Sequence, residues 1–161
     1  MKSATVERHY EKRFFSVAEA NQRLPLVRAI VDDIVTLFAD VQERRERLTT
    51  LVQRDATGTK RQASPYTEEL EQMDAEIRAD IERLNGFAHE LAELGVELKD
   101  PNIGLCDFPT LVDDREACLC WKLGEPSVDF WHDLKSGFSG RQSVAELSAP
   151  SRYATSKTSQ N

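Results

Sequence analysis

Asp107, Cys118, Cys120, Glu125, His132 and Arg141 are the residues of this chain whose types and spacing suit chemistry. Thiolate and imidazole are zinc ligands, and Asp107, Glu125 or Cys106 could complete a set with Cys118, Cys120 and His132. On a strand, Cys118 and Cys120 point to one face with their Cα atoms about 6.6 Å apart, so one ion reaches both only with distortion. No second Cys pair or His pair supplies a recognised zinc spacing. The first reading is therefore small buried thiols and no cofactor, since free Cys is among the most buried residue types. Zinc held by Cys120 and His132 with a carboxylate stands as the alternative.

A Cys–His nucleophile needs an oxyanion hole and a group that orients the base, and no motif for either is present. A ligand pocket has more support. Asp107, Lys122, Glu125, His132 and Arg141 all fall at strand ends or turns, near Trp121 and Trp131, and convergent polar groups beside aromatic rings are what a small-molecule site is built from. The competing account is a structural network of ion pairs tying loops to a sheet. "GFSGR", Gly137 to Arg141, adds an anion reading, because two glycines free backbone N–H groups and Arg141 could clamp an oxyanion. Against it, glycines around an aromatic also make a tight turn that packs Phe138 inward. The residues proposed for a small anionic ligand are Asp107, Glu125, His132 and Arg141, and His132 and Arg141 must then share one side of the sheet.

The elements that would position these residues follow from periodicity. "SVAE" at Ser16–Glu19 fits a capping box, with Phe15 as a hydrophobic staple. Val27, Ile30, Ile34, Leu37, Val41, Leu48 and Leu51 then recur at helical spacing to about Arg54. Pro25 lacks a backbone N–H, so a kink or restart is expected near Leu24. "RDATGTKRQASP" reads as a linker. A second stripe runs through Leu70, Met73, Ile77, Ile81, Leu84, Ala88, Leu91 and Leu94 to a C-terminal cap at Gly95. After Gly95 the period becomes two. "VELKD", "IGLCDFPTL", "REACLCWKL" and "SVDFWH" read as strands with turns at "VDDR" and "GEP", and Phe14–Phe15 is a candidate edge strand. In the third strand Ala117, Leu119, Trp121 and Leu123 share one face; Cys118, Cys120 and Lys122 share the other.

The fold class is thus α+β: a long antiparallel α-helical hairpin, about residues 16–94, with a small, mainly antiparallel β-sheet lobe, about residues 95–141. Residues 1–147 form a single domain and 148–161 a disordered tail, by composition. The charge of -7 divides along the same lines. Residues 1–65 carry 12 basic and 9 acidic side chains, and residues 66–100 carry 3 and 11. A basic helix beside an acidic one has favourable flanking pairs, which set the pairing of the two arms. Two helices cannot hide every stripe residue, and this opens a second reading, self-association into a homodimer or docking through the hairpin. Arg44, Arg45, Arg47, Arg54, Lys60 and Arg61 gather near the hairpin tip, yet no aromatic interleaves them, so a nucleic-acid platform is not expected. No apolar run approaches the roughly 20 residues of a membrane span. The first residues lack the apolar stretch of a secretory signal, and three cysteines cannot all pair internally. A cytoplasmic location is the expectation.

"FSVAEANQRLP" (Phe15–Pro25), "LGVELKDPNIGLCDFP" (Leu94–Pro109) and "LCWKLGEPSVDFWHDLKSGFSGR" (Leu119–Arg141) resemble a bacterial family known as domain of unknown function 2203. The resemblance covers about residues 13–141. It implies a small cytosolic bacterial protein with a helical hairpin and a Trp-rich C-terminal lobe, and it carries no activity with it. Asn21, Gly95, Gly104, Asp107, Cys120, Glu125, His132 and Arg141 match its motifs. Cys106 and Cys118 depart from its pattern, which makes Cys120 the thiol of interest.

Overall fold

The computed structural model describes residues 12–56 and 65–147. The element order is α1 (Val17–Ala56), α2 (Pro65–Glu93), β1 (Glu97–Asp100), β2 (Leu105–Val112), β3 (Arg115–Lys122), β4 (Phe130–Asp133) and β5 (Gln142–Ser143), so the chain is an α+β hairpin-and-sheet protein. The tail from 148 and the Lys60–Arg61 part of the basic tip lie outside the described residues.

Helix α1 begins where the capping signal placed it. Ser16 Oγ accepts from the Glu19 N–H at 3.1 Å, and Phe15 and Ala20 are both buried, which is the staple geometry. Pro25 neither ends nor restarts the helix, which is continuous from Val17 to Ala56. Proline removes one backbone hydrogen bond here, while Leu24 and Val27 on either side are 3% and 0% exposed. Packing on both flanks outweighs the local cost. At the other end of the hairpin Gly95 has φ +83°. Its N–H reaches Ala92 O and the Val96 N–H reaches Leu91 O, each at 2.9 Å. That is a Schellman cap, and Leu91 and Val96 close it by burying together in the core.

The five strands lie in sequence order in one antiparallel sheet. Asp113 and Asp114, at φ 50° and 61°, form the two-residue turn joining β2 to β3. The register puts Cys106, Phe108, Leu119, Trp121 and Trp131 on one face. That face closes against Val27, Val31, Ile34 and Leu91 of the helices. Asp107, Pro109, Cys118, Cys120, Phe130 and His132 lie on the opposite face.

Four details differ from the sequence expectation. Phe14–Phe15 is not a strand; Phe15 gives its N–H to Pro109 O at 2.7 Å and takes the Thr110 hydroxyl at 2.6 Å, beyond the reach of the short β1. "SVDFWH" is extended only from Phe130, because Val128 pairs with a side chain rather than a strand: Asn21 Oδ1 accepts its N–H at 2.8 Å and Asn21 Nδ2 donates to its carbonyl at 3.4 Å. A fifth strand, β5, adds to β4. Phe138 does not enter the core; it is 42% exposed and lies over charged side chains.

Candidate functional site

The thiol face of β3 is as buried as its apolar face, with Cys118 at 9% and Cys120 at 0% exposure. A second layer, from Leu134 to Arg141, covers it. Asp133 starts that layer by accepting the N–H groups of Lys135 and Ser136 at 2.9 and 2.7 Å. Those hydrogen bonds, led by Ser136, hold the Asp133 carboxyl below its ordinary value. The carboxylate cradled next to "GFSGR" is therefore the chain's own. Gly137–Gly140 then makes one 3-10 turn. A Cβ on Gly140 would run into the Ser136 side chain, so the turn admits no larger residue there.

Arg141, at the end of that turn, is a fixed wall. Its Nη2 donates to Glu125 Oε1 and Oε2 at 2.6 and 2.9 Å and to Cys120 O at 3.1 Å. Its guanidinium carbon sits 4.1 Å from the Phe130 ring centroid and 4.9 Å from that of Phe138. Glu125 also accepts the Lys122 N–H on Oε1 at 2.7 Å, and its carbonyl takes the Trp121 indole at 3.0 Å. Glu125 and Arg141 together lock the β3–β4 loop to the covering layer. Arg28 of α1 holds the loop's other side through Pro126 O at 3.0 Å.

Asp107 and His132 form the second pair. Nε2 of His132 is 3.0 Å from Asp107 Oδ1, and Nδ1 is 2.7 Å from Asp133 O. Both partners are oxygens, so hydrogen-bond accounting leaves two arrangements: a doubly protonated ring on an ionised Asp107, or an Nδ1–H ring on a protonated one. In either, Nδ1 keeps its hydrogen toward Asp133 O and one proton lies between Nε2 and Oδ1. Asp107 and His132 are 3% and 4% exposed, so an unpaired charge on either would be costly.

Cys120 links the two pairs. Its carbonyl holds Arg141, and its thiol lies beside Asp107, with one ligand atom from each of Asp107, Cys120 and His132 all within 4.8 Å of one another. Burial, with Asp107 adding to it, pushes the Cys120 thiol up to about 12, although Arg141 acts the other way. Burial likewise raises Cys106 to about 12 and Cys118 to about 11. All three are free thiols.

The four residues singled out in the sequence thus share one face of the sheet, as two closed pairs rather than one convergent set. His132 and Arg141 are on the same side, since Arg141 stacks on Phe130, two residues from His132. Over the Asp107–His132 pair opens a cleft of about 350 Å³, walled by Lys12, Glu97, Lys99, Leu105, Leu134 and Phe138. Lys12, Glu97 and Lys99 escaped the sequence reading. Only the pairing of Glu97 with Asp107 places β1 beside the site, and register is not written in composition. Lys122 lies outside the cleft, with Nζ 5.9 Å from the Phe138 ring centroid.

Hairpin and sheet, joined by one core and carrying a buried Asp–His–Cys cluster under an open cleft, define the class: an α+β protein with its polar site on the sheet face away from the helices. The chain belongs to the family described as uncharacterized conserved protein (DUF2203), whose model matches residues 13–144. No curated protein matches it. No solved structure matches it. Among the described residues no helix is long and apolar enough to cross a membrane.

Proposed function

We propose that the C-terminal lobe is a binding module for a small anionic molecule, taken up in the cleft above Asp107 and His132. The observation that carries this is a nearly inaccessible ionisable pair forming the floor of an open cleft. A fold that needed the pair only for stability gains nothing by leaving a cleft above it. Lys99 and Lys12 stand at the rim. They pair with Glu97 and Glu116 at 2.7 and 2.6 Å. These side chains are 41% to 63% exposed, and exposed ion pairs contribute about 0–1 kcal/mol, so either ammonium can turn toward a ligand at little cost. Hydrogen bonding to Glu97 leads the causes that raise Lys99, which stays cationic at neutral pH. Glu125 and Arg141, paired with each other through Arg141 Nη2, shape the wall of the lobe and do not meet the ligand in this reading.

A larger hollow of about 620 Å³ lies between the N-terminal segment and the end of α2, with no buried titratable group in its lining. The hairpin is the other candidate surface. Among its described residues Leu26 and Val52 are the exposed large apolar side chains, 26 residues apart, while Leu48, Leu51, Leu70 and Met73 at its far end are only half-buried.

The test is a two-dimensional NMR titration with inorganic phosphate and with short mono- and dicarboxylates. At least one is expected to move the His132 ring and the Leu105 and Leu134 methyl resonances together, leave the Val41 methyls in place, and lose its effect in Lys99→Glu. Unchanged cleft resonances with every probe would refute the proposal.

A further inference from the structure

We infer that Asp107, Cys120 and His132 are the three protein ligands of a zinc ion at the floor of the cleft. Three adjacent strands supply one ligand each: Asp107 on β2, Cys120 directly opposite it on β3, and His132 on β4, diagonal to Cys120. Strand backbones at fixed spacing hold the three donors in place before any ion arrives, so little ordering is required on binding. Their donor atoms already lie within 4.8 Å of one another, and the Nε2–Oδ1 separation is 3.0 Å. Zinc ligands at about 2.0–2.3 Å from the ion sit roughly 3–4 Å apart, so the cluster closes on an ion with sub-ångström side-chain shifts.

An independent feature outside the triad points the same way. His132 Nδ1 is fixed by the Asp133 carbonyl at 2.7 Å. A backbone carbonyl on one ring nitrogen sets the tautomer and aims the lone pair of the other at a metal. Asp133 is itself anchored by the Lys135 and Ser136 N–H groups, which holds the backbone that presents this carbonyl to the ring. On binding, the ion takes the place of the proton shared between Nε2 and Oδ1 and of the Cys120 thiol proton, and both are released to solvent. One thiolate, one imidazole and one carboxylate make a donor set too soft for calcium or magnesium and suited to zinc. Asp107 and His132 line the cleft, so the fourth position faces it and takes water or a ligand atom, the arrangement of zinc sites with an open coordination position. Cys118 and Cys106 are outside the set: Cys106 points into the core, and Cys118, although it lines the cleft opposite His132, is not among the residues whose donor atoms all lie within 4.8 Å of one another.

The inference does not require the anion reading, because the ion would bind whether or not anything enters the cleft. The test is titration of the full chain, made without an affinity tag and stripped with a chelator, with cobalt(II) alone and then zinc(II). The wild-type protein is expected to take up one equivalent of cobalt, develop a thiolate-to-cobalt charge-transfer band, and lose it as zinc displaces cobalt. Cys120→Ser should lose the band, while Cys118→Ala, a thiol on the same face, should keep it. Should Cys120→Ser fail to fold, Asp107→Asn provides the second arm: it retains the thiolate and, by replacing a ligand, should weaken cobalt binding by at least the roughly tenfold that losing an outer-shell partner costs. No band in the wild-type protein, a band that survives Cys120→Ser in folded protein, or equal affinity in Asp107→Asn would overturn the assignment.

Discussion

Gly104 is the residue on which the sheet's approach to the helices depends. It sits at φ +65° where the chain enters β2. A Cβ there would lie 2.7 Å from Val31 Cγ1 and 2.8 Å from Leu123 Cβ. Gly104→Ala therefore combines overpacking with a left-handed backbone, and urea unfolding should show a loss of about 2–4 kcal/mol. Gly86 is the matched control. It has open space around it within α2, so Gly86→Ala should stabilise by about 0.5–1 kcal/mol. Equal effects at the two sites would mean that close approach at Gly104 is not what holds the lobe to the hairpin. Residue types with special chemistry were legible in the sequence: Asp107, Cys120, Glu125, His132 and Arg141 all prove to be engaged with one another. Their pairing was not legible. Asp107 meets His132, and Glu125 meets Arg141, through strand register and a covering layer, and neither follows from spacing along the chain. Asn21 shows the same limit: Asn is unfavourable inside a helix, which marks the position, but its place beside Val128 arises only when helix and loop meet.

Among the elements, both helices were legible because stripe, capping box and glycine cap all agree. Where signals competed, packing decided, as at Pro25. Arg44, which interrupts the stripe of α1, turns out to tie the helices together. Its guanidinium reaches Asp80 of α2 at 2.5 Å and Asp40 at 2.8 Å, and Arg83 joins Asp80 at 3.1 Å. The hydrogen bond from Arg44, then that from Arg83, lowers Asp80 below its ordinary 3.8. A depressed carboxylate stabilises the fold at pH values above its unfolded pKa, and the contribution is lost as pH falls through the folded value. Asp80→Asn should therefore unfold at a lower temperature than wild type at pH 7, with the gap closing as pH drops well below 3.8. Thermal unfolding followed by circular dichroism across that range measures it. A gap that persists in acid would assign the effect to packing and not to charge.

At the scale of the whole molecule, one core joins hairpin and sheet, and it is concentrated at the sheet end. The buried apolar residues of α1 run from Ala20 to Val41, and those of α2 are Ile77 and Leu91. Beyond Val41 on α1 and before Ile77 on α2 no described residue is buried. The sequence hides this gradient, because Leu48, Leu51, Leu70 and Met73 continue the stripes without a third layer to cover them. Two helices alone leave one side of each stripe to water. Opening the far end exposes little apolar surface, whereas separating the sheet from α1 exposes the faces of Val27, Val31, Phe108, Leu119 and Trp121 together. Native-state hydrogen exchange should divide accordingly. Amides of α1 near Val27–Ile34 and of β2 and β3 should exchange only through global unfolding, at one common free energy that falls with denaturant at the full slope. Amides of α1 from Arg45 to Arg54 and of α2 from Tyr66 to Glu76 should exchange through local opening, with lower protection and almost no denaturant dependence. Uniform protection along both helices would show that the hairpin's far end carries as much of the fold's cooperativity as the core beneath the sheet.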